Sequence, residues 1–285
     1  MRAELLIAAS EDGLELGEVL KRRGYSRRLT VKLKHTEGGI TRAGQLLRTV
    51  DTVRAGETVL LACEEKTQLE PSRELCVPVI YEDSEVIVFD KPPGMPVHPS
   101  MKHRTDTLGN YFAHRFPGLT FRPVNRLDRD TSGCVLIAKS QYAAAALQGS
   151  FGKEYLALCC GRPEGSVIDA PIAREHESLI KRCVREDGRE ALTRFEIIGG
   201  NGKYTLCRVF PETGRTHQIR VHFAYIGCPL AGDDLYGGSR EDIARQALHC
   251  ASLTFTSPAD SRSHTVSSAL PQDIADALRP GQAHS

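Results

Sequence analysis

The stretch NRLDRDTSG at residues 125–133 is the densest polar cluster of this 285-residue chain, and the apolar segment CVLIA at 134–138 follows it directly. The apolar segment predicts a buried strand, and a loop at the end of a strand is where a rigid scaffold displays catalytic groups. In an extended loop, Asp128 and Asp130 would point to opposite sides, so they should not form a glycosidase-type carboxylate pair. We therefore expect one aspartate to act alone. The alternative from composition is a charged surface turn.

A second cluster is TGRTHQIRVH at residues 213–222. Gly214 suits a turn and Thr216 suits a helix N-cap. An apolar stripe then predicts the helix itself, and it consists of Ile219, Phe223 and Ile226. His217 and Arg220 share another face of this helix. The five-residue spacing from His217 to His222 does not suit one helical metal site, and no third ligand is obvious, so we expect no metal.

The loop KPPGMPVHP at residues 91–99 is stiffened by its four prolines and follows a predicted strand, so it could shape a pocket or be only structural. The chain contains no G-x-G-x-x-G, P-loop, H-E-x-x-H or G-x-S-x-G motif. Nucleotide cofactors, the common metal chemistries and serine hydrolase chemistry therefore have no support. We expect an enzyme without a cofactor.

Length and composition indicate about two domains of a soluble protein, with 40% hydrophobic and 26% charged residues. No apolar run is long enough for a membrane span, and the start of the chain turns acidic too soon for a secretory signal. The nine cysteines lack the C-x-x-C spacing, as expected for buried thiols in a reducing compartment. We therefore expect a cytoplasmic protein with no membrane association.

The pattern of strands and helices predicts an α+β fold with a mixed, largely antiparallel sheet, preceded by a small α/β domain. The predicted division is a basic domain at 1–63, a polar linker at 64–78 and a catalytic domain at 79–285. Ser26 and Ser140 are placed to cap helices at 27–35 and 141–148. The main strand candidates are 39–41, 57–63, 79–81, 85–89, 154–160, 204–210 and 253–256.

Positive charge is concentrated near the start of the chain. Residues 19–54 carry ten lysines and arginines but only two acidic residues, whereas the whole chain has a net charge of +1. A basic cap on a slightly acidic body is typical of proteins that bind polyanions such as RNA.

Six motifs in the same order resemble the RluA-type family of RNA pseudouridine synthases over most of residues 79–278. The family's H-R-L-D-x-x-T-S-G motif corresponds to residues 125–133, with Asn125 where many members have histidine. Its G-R-T-H-Q-I-R-V-H motif is residues 214–222, and its K-x-Y-x-A strand is residues 153–157. The other three are GCPLAGD at 227–233, YG at 236–237 and LHCA at 248–251.

This resemblance implies isomerisation of uridine in RNA to pseudouridine, with the target base flipped out of its stack. It assigns Asp128 as the catalytic aspartate, Arg220 as its ion-pair partner and Tyr155 as the aromatic that stacks on uracil. It further implies that Arg126 enters the RNA as the base leaves and that Leu253 lines the pocket. Arg129, Arg215 and the basic N-terminal residues would contact phosphates.

The basic first unit resembles the small RNA-binding domain of the ribosomal-protein-S-four type, which implies large-subunit ribosomal RNA as the target. Transfer RNA is an open alternative, as are two other functions: a non-catalytic RNA-binding or ribosome-assembly factor, and a nucleoside or base hydrolase. Whether Asp128 acts as nucleophile or base is also open. Nothing in the sequence requires more than a monomer.

Overall fold

The computed structural model describes residues 2–62, 69–176 and 180–279. Six α-helices lie in these ranges: α1 Leu16–Arg22, α2 Arg27–Lys34, α3 Leu108–Arg115, α4 Gln141–Ala146, α5 Gln218–Tyr225 and α6 Gln272–Leu278. The first eight strands are β1 Arg2–Leu6, β2 Ile40–Arg42, β3 Gln45–Leu46, β4 Thr58–Ala62, β5 Val79–Glu82, β6 Val86–Lys91, β7 Arg122–Pro123 and β8 Ser132–Ala138. The other eight are β9 Phe151–Cys160, β10 Val167–Asp169, β11 Ile172–Arg174, β12 Arg182–Val184, β13 Leu192–Gly200, β14 Tyr204–Pro211, β15 Leu248–Thr256 and β16 Ser263–Ser267.

The N-terminal unit has its own four-stranded sheet, in the order β1-β4-β2-β3, and packs it with α1 and α2 around a separate apolar cluster. The hydroxyl of Ser26 accepts a hydrogen bond from the N–H of Leu29, which confirms the predicted cap of α2. Strand β1 was not predicted, because its alanine, glutamate and leucines carry little strand preference. The resemblance of this unit to an RNA-binding domain stays a prediction.

The second body is built on a ten-stranded sheet with the main path β10-β13-β14-β9-β15-β8-β6-β5. Strand β16 adds to β15, and the short β7 adds to β8. Nearly all pairs are antiparallel, which confirms the predicted α+β fold. The hydroxyl of Ser140 accepts from the N–H of Ala143, so the predicted cap of α4 is also confirmed.

Strands β8 and β15 form a parallel pair at the centre of this sheet. Only two residue pairs join them, Ser132 with His249 and Gly133 with Cys250, among the residues described. Gly133 has φ +106°, and a Cβ atom there would lie 2.2 Å from the carbonyl oxygen of Cys250. A side chain at residue 133 would therefore push the two halves of the sheet apart.

The apolar core of the second body extends from Val77 to Val266 and includes residues 134–137 of β8, a strand whose seven residues are all buried. Residues 69–78, which fall in the predicted linker, contact this body: Val77 is buried in its core, and the N–H of Ser72 donates to the carbonyl of Asn110. The rest of that linker, 64–68, lies outside the described residues, as does residue 63 at the end of the predicted basic domain. None of the helices in the described ranges has the length and hydropathy needed to cross a membrane.

Candidate active site

The loop between β7 and β8 carries Asp128, and buried side chains fix it at its start and in its middle. Asn125 donates to the carbonyl of Cys134 and accepts from the N–H of Leu136, at 3.0 and 2.8 Å, so it ties the start of the loop to β8. An amide makes both contacts at once, since it carries a donor and an acceptor. The Asn125 side chain thus has a structural role at the position where the sequence departs from the family motif.

Lys91 holds the middle of the same loop. Its Nζ donates to the carbonyls of Pro92, Met95 and Arg129 at 2.8, 2.8 and 3.0 Å, and the side chain is fully buried. Burial lowers the pKa of Lys91 to about 7, against the raising effect of Asp130 and other acidic neighbours. Lys91 therefore links the proline-rich loop to the loop of Asp128.

Asp128 faces the N-terminal end of α5. Nη1 of Arg220 donates to Oδ2 of Asp128 at 3.2 Å, and Nε2 of His217 lies 3.8 Å from the same oxygen. Side chains 92 positions apart in the chain thus meet at one carboxylate. Asp128 and Arg220 thus form an ion pair, while their catalytic roles stay predictions.

The start of α5 differs from the prediction. Thr216 was expected to be the N-cap, but the N-cap is His217, which has φ +57° and makes no side-chain cap. The side chain of Gln218 accepts from the N–H of Arg215 and the hydroxyl of Thr213 instead, at 2.9 and 2.7 Å. The prediction was wrong because the chain turns through a left-handed residue here, so no extended Ser or Thr precedes the helix.

Arg220 is held by a second, buried carboxylate. Asp233 accepts from its Nε at 2.7 Å and from its Nη2 at 2.8 Å, and the side chain of Asp233 is 1% exposed. Burial alone would lower the pKa of Arg220, but the hydrogen bonds and charges of Asp233 and Asp128 outweigh it and raise this pKa. The guanidinium therefore keeps its charge and its orientation toward Asp128.

A cavity of about 340 Å³ opens above Asp128, a volume typical of small-molecule sites. Its lining comes from the loop of Asp128, from β9 and from residues 213–220. The charged side chains among the described lining residues are Arg126, Asp128, Lys153, Arg215 and Arg220. A single carboxylate among four cations suits an anionic ligand such as a phosphodiester chain.

Tyr155 forms part of the cavity wall from its position on β9, and only 7% of its surface is exposed. Burial raises the pKa of Tyr155 well above its ordinary value, and Cys250 adds to this effect. The phenol therefore stays neutral, and its ring offers an apolar surface to a flat ligand.

Five of the seven site residues proposed from the sequence line this cavity: Arg126, Asp128, Tyr155, Arg215 and Arg220. The other two do not. Leu253 is fully buried in the core, and Leu248 and Ile219 supply apolar lining instead. The side chain of Arg129 extends to Asp130, with both hydrogen bonds at 3.0 Å.

Sequence reasoning missed three residues that support the site, namely Lys91, Asp233 and Tyr236. The hydroxyl of Tyr236 lies 2.8 Å from Nδ1 of His217, and its ring stacks against the guanidinium of Arg220 at 5.0 Å. The signal was present, because Asp233 and Tyr236 both belong to motifs that matched the family in order. The match to these motifs, however, assigned no role to the side chain of Asp233 or Tyr236.

Comparison with known proteins gives a consistent result. The family model described as RNA pseudouridylate synthase matches residues 85–225. The chain is 36% identical to the uncharacterized RNA pseudouridine synthase YjbO of Bacillus subtilis, over 92% of this chain and 96% of the relative. It is also 36% identical to ribosomal large subunit pseudouridine synthase D of Xanthomonas campestris, over 81% and 77% of the two chains. The solved structure of human RNA pseudouridylate synthase domain containing 1 matches with a TM-score of 0.57 and 28% identity, over 70% of this chain and 86% of that one.

Proposed function

The chain belongs to the RNA pseudouridine synthase family, and we propose that it isomerises uridine in large-subunit ribosomal RNA, with Asp128 as its catalyst. The observation that carries the role of Asp128 is its geometry. It is the one carboxylate among the described residues that line the cavity, and Arg220 pairs with it at 3.2 Å. The reaction breaks the bond between N1 of uracil and C1′ of ribose, turns the base and joins C5 to C1′, so no atom enters or leaves.

Asp128 acts at the sugar in its ionised form, whether it attacks as a nucleophile or removes a proton. Arg220 places a positive charge and a hydrogen-bond donor at this carboxylate. Because Asp233 already holds Arg220 through two other nitrogens, the guanidinium need not reorganise when the substrate arrives.

The detached uracil has to stay near C1′ until its C5 atom can react. We assign this role to Tyr155, whose buried ring forms part of the cavity wall. Stacking on an aromatic side chain contributes about 1–3 kcal/mol per base. It also leaves the base free to rotate in its own plane.

The target uridine has to leave its stack before it can reach Asp128. We propose that Arg126 occupies the space that the base vacates, and its exposed position at the cavity, two residues before Asp128, supports this role. Arg215 and Lys153 add positive charge at the cavity, and we propose that they contact the backbone phosphates together with the exposed Arg129.

Ribosomal RNA as the target is supported by relatives named ribosomal large subunit pseudouridine synthase D, such as the one that this chain matches over 77% of that relative's length. The basic N-terminal unit would add phosphate contacts outside the cavity. We propose that the enzyme works in the cytoplasm as a monomer, since one chain supplies every residue of the site.

The test is to map pseudouridine in total RNA from cells with and without the gene, by carbodiimide modification and primer-extension stops. We expect specific ribosomal uridines to lose modification in the deletion strain and to regain it with the wild-type gene. The variant Asp128→Asn should lower the rate by roughly a thousandfold or more while it still binds RNA.

The matched control is Asp130→Asn, two residues away in the same loop, which should restore the modification. Sites lost in transfer RNA instead would move the proposal to that substrate. Identical maps in an otherwise viable deletion strain, with RNA still bound by the purified protein, would favour the non-catalytic RNA-binding function.

A further inference from the structure

His217 adopts a backbone conformation that residues other than glycine seldom occupy. Its φ of +57° lies in the left-handed region, which glycine and asparagine adopt most readily, and its side chain does not cap α5. Such strain persists at functional sites where the surroundings hold it. We therefore looked for a function of the His217 side chain other than capping α5.

A short chain of hydrogen bonds fixes the imidazole. The backbone N–H of Arg182 donates to the hydroxyl oxygen of Tyr236 at 2.9 Å, and that hydroxyl lies 2.8 Å from Nδ1 of His217. Among the described residues, Nδ1 of His217 is then the acceptor within reach of the Tyr236 hydroxyl proton. Tyr236 thus donates to Nδ1, and the neutral ring carries its own proton on Nε2.

The protonated nitrogen faces Asp128. Nε2 lies 3.8 Å from Oδ2, the same oxygen that Arg220 contacts, and none of the hydrogen bonds in the described part of the chain reaches Oδ1. Burial lowers the pKa of His217, and so do the nearby cations Arg220 and Arg182, whereas Asp128 and Asp233 act in the opposite direction. The net shift favours a neutral imidazole.

We propose that His217, oriented by Tyr236, is a positioning residue that donates from Nε2 to Oδ2 of Asp128 when the flipped uridine fills the cavity. The distance shortens by less than an ångström to become a hydrogen bond, and such contacts commonly tighten only in the substrate complex. With Oδ2 held by both His217 and Arg220, Oδ1 is the oxygen that faces the sugar.

One short segment controls both donors to Asp128. Asp233 binds Arg220 and Tyr236 binds His217, and the backbone N–H of Tyr236 donates to the carbonyl of Asp233 at 3.1 Å. Closely packed glycines flank this segment: a Cβ at Gly232 or Gly238 would lie 1.9 Å from a backbone oxygen. The segment 232–238 is therefore a rigid support for the orientation of the carboxylate.

This inference rests on the proposed role of Asp128, and its test is a comparison of three variants in the full chain. His217→Asn suits the left-handed backbone but its amide is too short to reach Asp128, whereas His217→Gln places an amide near the position of Nε2. Tyr236→Phe keeps the ring against Arg220 and removes the hydroxyl. For each we would measure kcat, KM for substrate RNA and thermal stability.

We expect His217→Asn to lose on the order of tenfold or more in kcat, with KM and thermal stability close to wild type. His217→Gln should recover part of that loss, and Tyr236→Phe should show a smaller loss in kcat. A wild-type kcat in His217→Asn would overturn the inference. So would kcat losses that are equal in the Asn and Gln variants and that parallel a loss of thermal stability in both. An active Asp128→Asn variant would instead overturn the proposed function and this inference together.

Discussion

Asp233 has its main effect through Arg220, which is 8% exposed and would otherwise be a poorly compensated buried charge. Replacing Asp233 by alanine removes two hydrogen bonds and the nearest counter-charge. Losing one partner of a buried ion pair costs about 3–5 kcal/mol, so we expect Asp233→Ala to lower the free energy of unfolding by this amount. Urea denaturation monitored by circular dichroism measures it.

The neighbouring residue Asp234 supplies the control. Its ion pair with Arg240 has the same charges at 2.8 Å, but both side chains are more than half exposed, at 58% and 54%. Asp234→Ala should cost less than about 1 kcal/mol. If both variants lost the same free energy of unfolding, burial would not explain how much the ion pair of Asp233 with Arg220 contributes to stability.

At this scale the sequence predicted residues that line the cavity better than the residues that hold them in place. Asp128, Tyr155 and Arg220 followed from motifs, and the cavity brings them together. Lys91 and Asp233 lie in motifs that the sequence analysis quoted, but they received no role, because charged side chains are seldom fully buried and a motif does not reveal a distant partner. Leu253 was placed at the pocket by resemblance, although the core encloses it.

Among the elements, β8 and β15 approach each other so closely at Gly133 that a larger residue would clash there. Gly133→Ala would bring a methyl group onto the carbonyl of Cys250, at the parallel pairing of the two strands. We expect the free energy of unfolding of this variant to fall by clearly more than the roughly 1–2 kcal/mol that a left-handed backbone alone costs an L-residue. Thermal unfolding followed by circular dichroism would show a lower midpoint.

Gly149→Ala separates backbone strain from this clash. Gly149 also has positive φ, +79°, but a Cβ atom there meets nothing within 4 Å. Replacing Gly149 by alanine should therefore lower the free energy of unfolding only by the cost of a left-handed backbone for an L-residue. If Gly133→Ala were no worse than Gly149→Ala, the strands could separate there without penalty.

Helix caps and apolar strands were predicted well because their signals are local. Ser26 and Ser140 sit directly at the helices they cap, and the apolar run of β8 reflects burial on both faces. The entry to α5 was predicted wrongly because a left-handed histidine has no sequence signature. The parallel pairing of β8 with β15 was equally hidden, since it joins residues 117 positions apart, as with Ser132 and His249.

For the whole molecule, the relation between the N-terminal unit and the second body is open to a direct test. The two have separate apolar clusters, and the ring of Tyr25 stacks on that of Tyr142 in α4 at 5.1 Å. We expect removal of residues 1–63 to weaken RNA binding and to reduce its salt dependence, because basic residues leave with that unit. The remaining chain should still unfold cooperatively.

Calorimetry and binding titrations at several salt concentrations measure both effects. The control is Tyr142→Ala in the full chain, which removes the stacked ring and keeps every basic residue, so its salt dependence should match the wild type. Loss of cooperative unfolding in the truncated chain would show that residues 1–63 form part of one common core.

The central place of β15 in the sheet has a consequence for protein synthesis. Asp128 lies on one side of the junction between β8 and β15, while Tyr155 and Arg220 belong to the other side. The strand that joins the two sides begins only at Leu248, so a ribosome releases it after most of the chain. Pairings this distant in sequence form slowly. Isomerase activity should therefore be the last property that a growing chain acquires, well after its basic N-terminal unit has emerged.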